Sequence, residues 1–306
     1  MRIMLWLVTL CCSSALTLAA CGGSTGDAQI FIAAEGTISQ GIDAGTGPAD
    51  ILDGWTVRYD KYLVAVGNFR AGRSSSPGAQ LADPRVVVLN LPQLPTSGYV
   101  FTQFRGAAAT RWNQVSYDLP NATASAERGS VTTQADYDLM VQNNWSLYFE
   151  ATLTNPGGQS CRPATPTDCV PRTSLRVRWG VKAGTSFGGC APAEGDTGFA
   201  IPTGGTVQVK PTIHGDHWFF DNITEGVELT QRYAQWIIDS DLDRDGETTI
   251  SELRNVRAAE VFPSSRYNLS GALIPVNTAY DWLEAQARTL GDFQGDGECS
   301  DRRILP

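Results

Sequence analysis

The densest array of ion-binding side chains in the chain is Asp241-Leu-Asp-Arg-Asp-Gly-Glu-Thr-Thr-Ile-Ser-Glu252. Asp241, Asp243 and Asp245 alternate, Gly246 allows a sharp bend and Glu252 closes the segment. Carboxylates this close repel one another, and a bound dication removes the repulsion and keeps them ionised. Donors that are all oxygen select a hard ion, calcium, over zinc or copper. With no ion the same residues form an acidic surface turn. A second constellation is His214-Gly-Asp-His-Trp-Phe-Phe-Asp221, which holds the chain's two histidines, three positions apart. In a regular strand residues i and i+3 face opposite sides and share no ion. A bend at Gly215 would let His214, His217, Asp216 and Asp221 converge on a borderline metal such as zinc or copper. The alternative, which the sequence prefers, is a buried junction with both imidazoles hydrogen-bonded to backbone.

The acidic segment resembles the calcium loop of the EF-hand family. The resemblance puts Asp241, Asp243 and Asp245 at loop positions 1, 3 and 5, Gly246 at 6 and a bidentate Glu252 at 12. It implies that Glu247 contributes its carbonyl and Thr249 acts through a water. The departure is Thr248, at a position where an aliphatic residue usually pairs with a second loop. Asp292, Gln294, Asp296 and Gly297 repeat half of such a loop, but Arg303 stands where its closing acid belongs. That stretch reads as a degenerate partner loop or an acidic turn leading to Cys299. A β-rich chain with His214 and His217 beside Trp218 also resembles the methanobactin-associated copper-binding proteins, which implies copper at these histidines.

The elements that must position these groups follow from patterning. Residues Gln29 to Ala34, Trp55 to Phe69, Arg85 to Leu91, Tyr99 to Phe104, Arg111 to Tyr117, Trp145 to Thr154, Ser174 to Val181 and Thr206 to Ile213 are rich in Val, Ile, Thr and aromatics. Many alternate with polar residues, and Gly-, Pro- and Ser-rich breaks separate them. This predicts a mainly β chain, an antiparallel β-sandwich over 28–220, with one helix near Thr133 to Asn143. Trp55 and Trp179 belong in its core, with Val177 on the face of Trp179 and Arg176 and Arg178 opposite. Leu229, Tyr233, Trp236 and Ile237 recur at helical spacing before the acidic loop, and Ser251 to Glu260 follows it free of Gly and Pro. Pro275 to Leu290 reads as another helix. Residues 221–306 are therefore expected as a small α-helical, EF-hand-like domain.

The chain opens with a basic residue, an apolar run from Ile3 to Leu18 and Ala19-Ala20-Cys21, the layout of a secretory signal over 1–20. Leu18-Ala-Ala-Cys21 resembles the lipobox of bacterial lipoproteins, which implies a lipid on Cys21 as the sole membrane contact. Gly22, in place of Asp, then points to the outer membrane, and 21–27 reads as a flexible tether. Loss of 1–20 removes one Arg and no acid, so the formal charge goes from −9 to −10. So acidic a chain is a poor nucleic-acid binder. An exported chain is expected to pair its remaining cysteines, Cys161, Cys169, Cys190 and Cys299, as two disulfides. Three pairings are open, of which Cys161–Cys169 and Cys190–Cys299 suit a local staple and a long-range tie.

No His-Glu-x-x-His, Gly-x-Ser-x-Gly, Walker loop or dinucleotide fingerprint occurs, so no enzyme is expected. The sequence favours a non-catalytic, lipid-anchored envelope protein with structural calcium. Its alternatives are a copper or zinc protein using His214 and His217, and a sandwich that binds a carbohydrate or protein partner.

Overall fold

The computed structural model describes residues 23–224 and 230–306. The signal segment, the lipid site Cys21 and Leu229 lie outside the described residues. The chain is mainly β. The larger sheet runs in the order Glu247–Thr248, Ser174–Val181, Leu147–Thr154, Thr56–Arg73, Gln114–Leu119, Thr185–Cys190, Cys299–Ile304. Ser76–Asn90 also pairs with Thr56–Arg73. The smaller sheet runs Thr206–Val209, Thr25–Ala34, Pro211–Ile213, Gly291–Phe293, with Tyr99–Ala108 on Thr25–Ala34.

Thr56–Arg73 organises the larger sheet. Its first half pairs with Leu147–Thr154 and its second with Gln114–Leu119, with irregular register around Asn68, which takes a left-handed φ of 52°. Tyr62 to Val66 are all apolar because both faces are covered. Tyr62, Val64 and Val66 enter the main core, while Leu63 and Ala65 meet Val88, Met140 and Tyr148 in a smaller one. The helix Gln134–Asn143, on the expected residues, closes that second face, capped by Thr133 and tied by Lys61–Asp136 at 2.7 Å. In Ser174–Val181, Leu175, Val177 and Trp179 are buried and Arg176 and Arg178 exposed, as the alternation requires.

Four expectations change. The sheets are not purely antiparallel: Thr25–Ala34 runs parallel to Thr206–Val209 and to Pro211–Ile213. Strand starts at Thr25, inside the expected tether, because Thr25 and Gly26 pair with Ala108 and Ala107. The helices flanking the acidic loop are short, Gln235–Asp239 before it and Ile250–Asn255 and Ala258–Val261 after it, and the helix expected over Pro275 to Leu290 is Ala279–Ala287. The stretch expected as a helical unit threads back into the sheets through Glu247–Thr248, Gly291–Phe293 and Cys299–Ile304. One core joins Val64, Phe149 and Trp179 to Trp236, Leu253 and Trp282. The disulfides are Cys161–Cys169 and Cys190–Cys299, each between residues paired across adjacent strands.

Candidate metal centres

The parallel strands Thr25–Ala34 and Pro211–Ile213 end in register, with Ala34 beside Ile213. The next residue of each, Glu35 and His214, therefore emerges at the same end of the sheet, and the Glu35 amide donates to the Ile213 carbonyl. Gly291–Phe293 sets Asp292 opposite Thr212, two residues before His214 and so on its face. The His214 amide continues this ladder by donating to the Leu290 carbonyl. Gly215 then turns the chain. A Cβ there would lie 2.5 Å from Ile38 Cγ1 and 3.0 Å from Thr37 Oγ1, which leaves room for glycine alone. The turn enters a 3-10 helix, His217–Phe219, and the two imidazole centroids come to 4.8 Å. The bend removes the opposite-face obstacle of a strand.

Asp216, 1% exposed, completes the group. Arg232 holds its Oδ2, with Nε donating at 2.9 Å and Nη2 donating beside it. Oδ1 has no hydrogen-bond partner and lies 3.8 Å from His214 Nδ1 and 4.0 Å from His217 Nε2. Glu35 Oε2 is 3.4 Å from the same His214 Nδ1. The far nitrogen of each ring is also engaged. His214 Nε2 stands 2.9 Å from Asp292 Oδ2, though out of line for a hydrogen bond. His217 Nδ1 lies 2.8 Å from Thr289 Oγ1. The Thr289 hydroxyl donates to the Gln286 carbonyl, so towards His217 it acts as acceptor of Nδ1–H. That leaves the Nε2 lone pair on the side of Asp216. A lone pair and a carboxylate this close repel unless a positive charge stands between them, either an imidazolium or a metal ion.

Burial disfavours charge on His214, but Asp216, Asp292 and Glu35 outweigh it and hold its pKa well above the ordinary value. Burial and the neighbouring His214 move His217 down. Burial would raise Asp216, yet His214, His217 and Arg232 keep it below the usual carboxylate range. The backbone is braced too: the Tyr62 hydroxyl donates to the His214 carbonyl at 3.0 Å and itself accepts from Trp218 Nε1 at 3.1 Å. Trp218 is thus a fully buried prop. Asp221, expected as a possible ligand, instead accepts the Gln231 amide. A cavity of about 110 Å³, lined by His217, Phe220, Gln286 and Thr289, adjoins the cluster.

In the acidic loop, donor atoms of Asp241, Asp243 and Glu252 lie within 4.8 Å of one another. Asp241 accepts the Asp245 and Gly246 amides, and Gly246 turns at φ 93°. Glu252 accepts the Leu242 amide through Oε1 and the Thr249 amide through Oε2, in a capping box with the Thr249 hydroxyl. Asp245 is outside the trio and accepts the Glu247 amide. The Glu247 side chain turns away to Arg178 at 2.8 Å. Arg172, which sequence reasoning missed, sits 3.0 Å from Asp241 Oδ2. Burial raises the Asp241 pKa, helped by Glu252 and Asp245 and opposed by the Gly246 amide and Arg172. Thr248 does pair with a neighbour, the strand Ser174–Val181 in place of a second loop: it lies beside Val177, and its carbonyl accepts Trp179 Nε1. Asp292, read as the start of a degenerate loop, is a buried strand residue against His214.

Glu35, Asp292, Arg232 and Thr289 were missed at the histidine cluster. Register at the ends of parallel strands is the signal that could have found Glu35. No protein-family model matches the chain, and no curated protein matches it. Among solved structures, MbnP from Methylosinus trichosporium aligns over 70% of this chain and 83% of its own, at 9% identity and a TM-score of 0.31.

Proposed function

We propose that this chain is an exported, non-catalytic envelope protein, anchored by a lipid on Cys21, that binds copper or zinc between His214, Asp216 and His217. The observation that carries the reading is Asp216 Oδ1, a buried acceptor with no hydrogen-bond partner, facing two imidazole nitrogens at 3.8 and 4.0 Å. Donors on a tetrahedral ion with bonds of about 2.0 Å lie roughly 3.3 Å apart, so the carboxylate oxygen at 3.8 and 4.0 Å from the two rings has under an ångström to close on each. The groups behind the donors support it: Thr289 sets the tautomer of His217, and Asp292 backs His214, as outer groups do at metal-binding histidines. The test is elemental analysis of the purified protein. About one copper or zinc per chain, lost on His214→Ala, is expected; no such metal, or metal retained in the variant, overturns the reading.

A second reading is favoured by the trio Asp241, Asp243 and Glu252 together with the Asp241–Gly246 contact. In it the loop holds a structural calcium ion, with Asp245, the Glu247 carbonyl and Thr249 closing around it. Extracellular calcium modules bind at about 10⁻⁴ to 10⁻³ M. Melting raised by millimolar calcium, with Glu252→Gln abolishing the rise, is expected; melting indifferent to calcium removes it.

A further inference from the structure

The histidine cluster carries more acid than two imidazoles need. Glu35, Asp216 and Asp292 each stand within 4 Å of His214, at 3.4, 3.8 and 2.9 Å. Arg232, on Asp216, is the one guanidinium ion-paired to any of these three among the described residues. With both rings deprotonated, as ligation of a metal requires, the formal sum is three negative charges against one positive, a net −2. Such a charge is costly to bury unless balanced. A dication brings the site to neutrality, and a monovalent ion leaves it at −1. Donor chemistry points the same way. Monovalent copper prefers soft thiolate and thioether ligands. Here Cys161, Cys169, Cys190 and Cys299 are held in disulfides, and Met140 packs in the smaller core cluster away from the histidines.

Geometry divides the acids between two roles. Glu35 Oε2 and Asp216 Oδ1 share one edge of His214, the Nδ1 edge, while Asp292 lies against the opposite nitrogen. Glu35 is not a loose surface acid. It follows strand Thr25–Ala34, and its Oε2 accepts from the Thr37 hydroxyl at 2.5 Å and the Gly215 amide at 3.3 Å. Both bonds keep that oxygen over the turn between the two histidines. We infer that this site takes a divalent cation, zinc or oxidised copper, in preference to monovalent copper, with Glu35 as its fourth ligand and Asp292 as the group that orients His214.

This rests on the metal reading of the preceding section, and the experiment separates the two. The full-length protein is titrated with Zn(II), with Cu(II), and with Cu(I) kept reduced without oxygen, each against a competing chromophoric chelator. One Zn(II) or Cu(II) per chain is expected, and an equal amount of Cu(I) fails to displace it. Glu35→Gln weakens the divalent ions about ten-fold or more and leaves Cu(I) affinity unchanged. Glu35→Asp, which keeps the charge on a shorter arm, falls between, and it serves if the Gln variant does not fold. Displacement by Cu(I), or divalent affinity indifferent to Glu35→Gln, overturns the inference while leaving the site itself standing. Failure of all three ions to bind, or full binding by His214→Ala, overturns both.

Discussion

At the scale of single residues the histidine cluster depends on groups that never need to touch a metal. Thr289 is the sharpest case. Its hydroxyl gives its proton to the Gln286 carbonyl and so takes one from His217, which fixes where that imidazole keeps its lone pair. Thr289→Val keeps the shape and removes the acceptor. The buried Nδ1–H then loses its partner at a cost of about 1–3 kcal/mol. The tautomer with Nε2 protonated becomes competitive, so zinc affinity is expected to fall about 10- to 100-fold. A chelator competition titration reads this directly, and unchanged affinity would show that Thr289 does not set the tautomer. Arg232 has a different role. It satisfies Asp216 Oδ2 and stacks on Phe220 at 4.9 Å, so it fixes which carboxylate oxygen is left to face the rings.

At the scale of elements, short helices here are held from outside. Gln235–Asp239 has no side-chain cap of its own. Asp53, far away in sequence, supplies one: its Oδ2 accepts the Ala234 and Gln235 amides, each at 2.8 Å, while Oδ1 is buried with no partner. Burial raises the Asp53 pKa above its ordinary 3.8, and the two amides and Arg266 only partly offset it. The folded chain therefore binds the proton more tightly than the unfolded chain. Stability from this group is fully present below about pH 3.8 and is lost as pH rises through the folded value. Asp53→Asn keeps an acceptor for the amides and removes the charge. The variant should gain on the parent as pH rises from about 3.5 to 7. Urea midpoints that stay parallel across that range would refute the argument. The same distance in sequence explains what was legible. The alternation of Val177 and Trp179 with Arg176 and Arg178, and the helix near Thr133 to Asn143, are local, and they read correctly. The bend at Gly215 was visible as a glycine between two histidines. Glu35 is 179 residues from His214, and Asp292 looks like a loop acid until the pairing with Thr212 turns it inward. Short strands such as Glu247–Thr248 and Gly291–Phe293 carry too few residues for any period to show, and they exist because neighbouring strands offer an edge.

At the scale of the whole molecule, the C-terminal residues are the last strands of sheets begun near the N-terminus. Gly291–Phe293 places Asp292, and Cys299–Ile304 then fixes the chain beyond it. The two disulfides act on this arrangement very differently. Cys161–Cys169 closes a loop of separation 8 inside one hairpin, and Cys190–Cys299 closes one of separation 109. On chain-entropy grounds the first stabilises by roughly 2.5 kcal/mol and the second by roughly 4.7. The long bridge also secures the strand pair that follows Asp292. Cys190→Ser with Cys299→Ser should therefore lower the melting temperature by about 10 °C or more, and by more than Cys161→Ser with Cys169→Ser does. It should also weaken metal binding, because the strand carrying Asp292 loses its fixed continuation, whereas loss of the hairpin bridge should leave metal affinity unchanged. Calorimetry and zinc titration on the two double variants distinguish these outcomes. Equal losses of stability would mean that strand pairing alone closes the long loop. Equal losses of affinity would mean that Asp292 is held by the Pro211–Ile213 ladder without help from the bridge.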